Sequence, residues 1–192
     1  MELQKENFLK EIVQFTIIAL LIVFGFRTYI AKPFYVSGAS MEPTFESSQY
    51  LIVDQLSYRF EDPSRGDVII FKFPQDESKY FIKRIIGLPG ETVEIRGTAI
   101  IIKNEGYPDG FILTEPYIEK SLKRQDFLTT TLGSDEYFVM GDNRDASSDS
   151  RIWGSVKREL ISGRAFLRLL PVGQTDFLPG SVDDTYPISN VQ

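Results

Sequence analysis

Ser40 lies in the stretch Ser37-Gly38-Ala39-Ser40-Met41-Glu42-Pro43, which sets a hydroxyl on a tight, glycine-preceded turn just beyond a long apolar segment. A serine hydroxyl becomes a nucleophile only when a neighbouring base takes its proton. The chain has no histidine and no cysteine, so neither a Ser-His nor a Cys-His pair can be assembled. The candidate base is Lys83, in Phe81-Ile82-Lys83-Arg84-Ile85-Ile86-Gly87-Leu88-Pro89-Gly90, because a lysine removed from water can be neutral and accept a proton. Strand alternation puts Phe81 and Ile85 on the face of Lys83, and Ile82 and Ile86 on that of Arg84. One cation therefore meets apolar surface, and burial and the like charge of Arg84 would both lower the lysine pKa. Each residue alone has a plainer reading. Ser-x-x-Pro is common at turns where the hydroxyl caps backbone N–H groups, and an edge-strand lysine guards against aggregation. The pairing is what points to catalysis.

The segments Ser40-Met41-Glu42-Pro43, Arg65-Gly66-Asp67-Val68-Ile69, Lys83-Arg84-Ile85-Ile86-Gly87-Leu88-Pro89-Gly90 and Gly141-Asp142-Asn143-Arg144-Asp145-Ala146-Ser147-Ser148-Asp149-Ser150-Arg151 resemble, in order, the signature boxes of type I signal peptidases. The resemblance runs from the apolar segment to about Pro171. It implies a membrane-anchored serine endopeptidase with a Ser-Lys dyad, Ser40 and Lys83, that removes signal peptides after small residues at the −1 and −3 positions and needs no cofactor. It also implies that Ser147 contacts the catalytic lysine, that Asp149 and Arg151 support that serine, and that the Ser40 N–H is an oxyanion donor. Some family members add a serine hydroxyl two residues before the nucleophile. Gly38 stands there, as in some close relatives, and leaves the second donor unassigned.

Asp142, Arg144, Asp149 and Arg151, with Asn143 between them, can form charge-assisted hydrogen bonds that fix their loop. A calcium site is a poor fit. Counted from Asp145, position six is Ser150 instead of glycine and position twelve is Val156 instead of glutamate. Without histidine or cysteine a zinc site would have to be all carboxylate, which zinc seldom uses.

These residues need a framework. A chain of 192 residues suits one domain plus an anchor. Its 21 basic and 27 acidic residues give a net charge of −6, which argues against nucleic acid as a partner. Zero cysteines exclude a disulfide framework and leave the redox character of the compartment unmarked. From Ile12 to Phe26 only Gln14 and Thr16 are polar, and Tyr29, Ile30 and Ala31 extend the run past Arg27. A spanning helix needs about 20 apolar residues, so the pattern predicts a transmembrane helix over 12–31 after a short tail, 1–11. A cleaved signal sequence is the main rival, but no small-x-small triplet directly follows the apolar core. Unbroken apolarity on all faces argues against a buried core helix. Basic residues flank both ends, so charge does not set the orientation. The resemblance does, placing the tail in the cytoplasm and the catalytic domain outside, against membrane lipid.

After Pro33, β-branched and aromatic runs predict strands at Tyr50–Asp54, Asp67–Phe73, Tyr80–Ile86, Thr92–Arg96, Ala99–Lys103, Tyr137–Met140 and Arg164–Leu170. Turn signals at Ser64-Arg65-Gly66-Asp67, Pro89-Gly90, Pro108-Asp109-Gly110 and Gly141-Asp142-Asn143 separate them. The expectation is a mainly β, signal-peptidase-like antiparallel barrel or sandwich over 32–171, with a polar excursion at about 106–134 and a loosely held tail, 172–192. Expected partners are the signal peptides of exported preproteins and membrane lipid, with the export machinery a further candidate. Two rivals remain open: another Ser-Lys protease of similar β-fold, such as the self-cleaving repressors, whose DNA-binding domain is replaced here by the apolar segment, and an anchored β-domain that binds exported chains without cutting them.

Overall fold

The computed structural model describes residues 2–29, 31–118, 125–182 and 189–190. Helix α1 (Glu2–Tyr29) is followed by β1 (Ala31–Tyr35), β2 (Tyr50–Asp54), β3 (Val68–Phe73), β4 (Asp76–Gly87), β5 (Thr92–Gly97), β6 (Ala99–Asn104), β7 (Tyr107–Ile112), β8 (Asp126–Thr131) and β9 (Glu136–Met140). A one-turn helix α2 (Ser150–Trp153) then precedes β10 (Val156–Lys157), β11 (Ile161–Leu170), β12 (Asp176–Phe177) and β13 (Ser189–Asn190). The strands form two antiparallel sheets. One runs β1-β2-β11-β3-β4-β9-β10 with β12 added to β11, and the other runs β13-β7-β6-β5-β8. The mainly β, antiparallel expectation holds, and every predicted strand is present within a few residues of its expected ends.

The apolar run Val68–Phe71 shows why the strands read as they do. Val68 and Ile70 enter one core cluster, with Val36, Met41, Phe45, Leu51, Val53 and Ala165. Ile69 and Phe71 enter another, with Tyr58, Ile85, Tyr137, Val139, Val156 and Ile161. Successive side chains point to opposite faces, so a strand covered on both sides must be apolar throughout. A third cluster contains Ile86 and Phe138 of the large sheet with Val93, Ile95, Ile100 and Ile102 of the second.

Several expectations require correction. The helix begins at Glu2, so the residues of the expected tail are helical from Glu2 on, and it ends at Tyr29, with Ala31 already in β1. Pro33 masked that strand; β1 pairs only with β2, an edge position where a missing N–H is tolerated. Among the described residues no helix is long and apolar enough to cross a membrane. Of the expected span, the side chains of Ile22, Phe24 and residues 26–31 lie outside the described ones. The expected excursion supplies β7 and β8, which pair with β6 and β5 instead of with each other. Pro108-Asp109-Gly110 is no turn but the middle of β7, where Gly110 has φ +90° and a Cβ would stand 2.6 Å from Ile101 Cγ2. The expected loose tail adds β12 to β11 and β13 to β7; its residues 183–188, 191 and 192 lie outside the described ones.

Candidate active site

Ser40 stands in the turn between β1 and β2, and packing beneath it fixes that turn. Met41 and Phe45, 1% and 0% exposed, enter the core on either side of Glu42-Pro43-Thr44. Phe45 N donates to Met41 O at 2.9 Å. Met41 is therefore a core residue. Gly38 adopts φ +97°, with open space where a Cβ would be. Such a positive φ is one that glycine reaches without strain.

Lys83 approaches from β4. Pairing with β9 runs from Arg84 to Gly87, so residues from Asp76 to Lys83 are paired with β3 alone and leave their other edge open. Across that opening Lys83 Nζ hydrogen-bonds Ser40 Oγ at 2.7 Å and donates to Ile82 O at 2.8 Å. Lys83 is 4% exposed. Burial pulls its ammonium down to about 8, against the opposing pull of Asp149 and Asp142. The expected contribution of Arg84 is corrected. That guanidinium, also buried, is neutralised by Asp142 through Nε–Oδ1 at 2.9 Å and Nη2–Oδ2 at 2.6 Å, so desolvation alone depresses the lysine.

The loop after β9 closes the site from behind. Asn143 N donates to the Ser40 carbonyl at 3.1 Å, and Thr44 Oγ1 donates to Asp142 Oδ2 at 2.6 Å. Gly141 is required by contact, since a Cβ there would lie 2.3 Å from both Ser40 O and Ser147 Oγ. Asp149 caps α2, accepts from Gly141 N at 3.1 Å, and pairs with Arg151 through two bonds of 2.8 Å. Although burial pushes the Asp149 carboxyl up, Arg151 and the Gly141 N–H hold it below the usual carboxylate range. Arg151 also reaches Asp126 Oδ2 at 2.7 Å and Arg144 O at 2.8 Å, while Arg144 binds Glu115 and Gly141 O. Ser147 is buried beside this network. Its hydroxyl is near enough to help keep Asp149 low, but among the described residues it lacks a partner of hydrogen-bond geometry, Lys83 included. The Ser40 N–H donates no bond among the described residues and is free for a ligand.

Ser40 and Lys83 line a cleft of about 550 Å³ whose walls are Phe34–Ala39 on one side and Lys79–Ile82 on the other. Its apolar lining includes Val36, Leu51, Ile70 and Ile82. Over residues 9–170 the sequence matches the family described as "Signal peptidase, peptidase S26". The chain belongs to this family. It is 36% identical to the probable signal peptidase I-2 of Synechocystis, over 90% of this chain and 78% of that one. It is equally identical to the signal peptidase I of Leptolyngbya laminosa, over 82% and 77% of the two. A solved signal peptidase I of Enterococcus faecalis, 34% identical, covers 54% of this chain and 97% of its own, with a TM-score of 0.46. The family's activity is that of a serine endopeptidase that removes signal peptides, and this chain is such an enzyme.

In this peptidase, Ser40, Lys83, Ser147, Asp149, Arg151, Asp142, Asn143 and Arg144 come together from one turn, one strand and one loop. Gly38 stands apart from the buried cluster at the cleft wall. Three participants carried no usable signal: Thr44, which reads as an ordinary turn residue, and Glu115 and Asp126, isolated acids in a polar stretch whose partners are set only by the second sheet.

Proposed function

We propose that Ser40 is the nucleophile and Lys83 the general base of this peptidase, in a chain anchored to the membrane by α1 with its β-domain on the extracytoplasmic face. The observation that carries the reading is the 2.7 Å hydrogen bond between a buried lysine and a serine hydroxyl at the floor of a cleft. When Nζ is neutral the bond reverses, and the hydroxyl donates to the amine. As Oγ attacks the scissile carbonyl its proton passes to Nζ. Nζ then protonates the leaving amine, and later takes a proton from the water that hydrolyses the ester. The Ser40 N–H, which donates to no group among the described residues, would donate to the developing oxyanion, a role worth about 3 kcal/mol where such donors have been removed.

An extended substrate fits between the open edge of β4 and the unpaired edge of β1, where main-chain hydrogen bonds can be made on both sides. The largely apolar lining of the cleft suits short apolar side chains, in keeping with small residues at −1 and −3. Anchoring draws support from α1. Ile12, Val13, Phe15, Ile17, Leu20, Leu21 and Val23 are all exposed, Phe15 at 75%, and none of them joins a core cluster. Apolar side chains turned outward all round a helix ask for a lipid environment. Incubating a preprotein with the full chain and with Ser40→Ala tests the reading. The wild type should release the mature protein, and Ser40→Ala should bind without cutting. Cleavage by Ser40→Ala at the wild-type rate would exclude the dyad, and binding with no cleavage by either would favour a non-catalytic domain.

A further inference from the structure

The segment after β11 does more than add a strand. Leu178-Pro179-Gly180-Ser181 is a turn closed by Ser181 N donating to Leu178 O at 3.0 Å, with Gly180 at φ +75°. Proline followed by a glycine of positive φ is the pattern of a type II turn. This turn aims the Gly180 carbonyl at Arg84 Nη1, which donates to it and, at 2.8 Å, to Gly66 O. The fit is close. A Cβ on Gly180 would stand 2.6 Å from Thr44 Cγ2, 3.2 Å from Arg84 Nη2 and 3.3 Å from the Phe45 ring. The segment is fastened further up the chain. Arg168 donates to Gln174 O at 2.8 Å and to Thr44 O at 2.9 Å, and Gln49 Nε2 donates to Gln174 Oε1 at 2.8 Å. Leu178 N donates to Phe166 O at 2.8 Å. Two of the residues that a Cβ on Gly180 would meet, Thr44 and Arg84, grip the two oxygens of Asp142. The next residue, Asn143, holds the Ser40 carbonyl.

We propose that Gln174–Ser181 is a positioning strap for the Ser40–Lys83 pair, with Gly180 as its positioning residue: its carbonyl holds Arg84 and its missing side chain lets Thr44 and Arg84 close on Asp142, which sets both the place of Ser40 and the charge that Lys83 meets. The inference rests on Ser40 and Lys83 being the catalytic pair. The charges bearing on Lys83 are Asp149, held by Arg151 of α2, and Asp142, held by Arg84 of β4. Lys79, on the open end of β4, is paired with Asp76. Loosening the strap leaves Asp142 less neutralised. That stabilises the ammonium of Lys83 and moves the acid limb of activity to higher pH.

The test is kcat/KM against pH for the full chain in detergent, with a peptide substrate, for Gly180→Ala, for Arg168→Gln, which releases Gln174 and Thr44, and for Gly173→Ala, whose Cβ meets open space. For the first two variants the limb should move up by about 0.5 pH unit or more, and the plateau should fall about tenfold. Gly173→Ala should match the wild type. A smaller folded fraction lowers the plateau without moving the limb, so a limb unmoved in the variants that fold overturns the strap whatever the plateau does. Lys83→Ala, run alongside, separates the two ideas: if it is active the dyad itself fails, and if it is inactive while the limbs stay put only the strap fails.

Discussion

At the scale of single residues, what sets this site apart is that a buried lysine faces a serine with no imidazole available. Desolvation brings Lys83 down to about 8, and the two nearby carboxylates stop it falling further. Their charges are largely spent on Arg84 and Arg151, so the amine is lowered without the like-charge push that the adjacent arginine suggests from sequence. Ser147 gives a sharper prediction. Its hydroxyl is buried with no partner of good geometry among the described residues, so Ser147→Ala loses at most a weak contribution to Asp149, and the melting temperature should change little. Turnover should fall about tenfold or more, though less than in Ser40→Ala, if that hydroxyl orients Lys83 during reaction. Steady-state kinetics beside a thermal melt decide it: unchanged turnover would remove Ser147 from the site.

At the scale of elements, the loop after β9 and the short α2 act as one unit because Asp149 is both helix cap and partner of Arg151. Arg151→Ala would leave the fully buried Asp149 carboxylate without its guanidinium, a loss of about 3–5 kcal/mol. The sign with pH follows from the shift. In the wild type the folded Asp149 pKa lies below its unfolded value, so its contribution is complete above the unfolded value and is lost as pH falls through the folded one. In Arg151→Ala the carboxyl is pushed up instead, and protonation relieves it. The stability gap between the two proteins should therefore be widest near neutral pH and narrow in acid, as chemical denaturation at several pH values would reveal. A gap independent of pH would mean that Asp149 is not the group left stranded. Elements also show what the sequence could and could not convey. Strands β2 to β6, β9 and β11 were legible because each buries a β-branched or aromatic run. Strand β1 was hidden by Pro33, and β7 and β8 by polar residues that face water beside an apolar neighbour. The pairing of Ser40 with Lys83 was legible once histidine was absent. Thr44, Glu115, Asp126 and Gly180 were not, because a hydroxyl, two acids and a glycine acquire their roles only from partners 25 or more residues away, as in the Asp126–Arg151 pair.

At the scale of the whole molecule, α1 contributes no side chain to any of the three core clusters among the described residues. Removing residues 1–30, which leaves β1 intact, should yield a folded β-domain that melts cooperatively and still cuts peptides, whereas the full chain should partition into detergent or vesicles. An unfolded fragment would show that the helix supports the fold. The central claim is that Lys83 is the base for Ser40, and the measurement that bears on it most directly is the pH dependence of kcat/KM for a peptide substrate in the wild type and in Lys83→Arg. The acid limb of kcat/KM reports the free enzyme's essential base, so the wild type should rise through a midpoint near 8. Lys83→Arg, whose guanidinium keeps its proton throughout, should be inactive at every pH. An active Lys83→Arg enzyme, or a wild-type limb that stays flat across this range, would contradict the account.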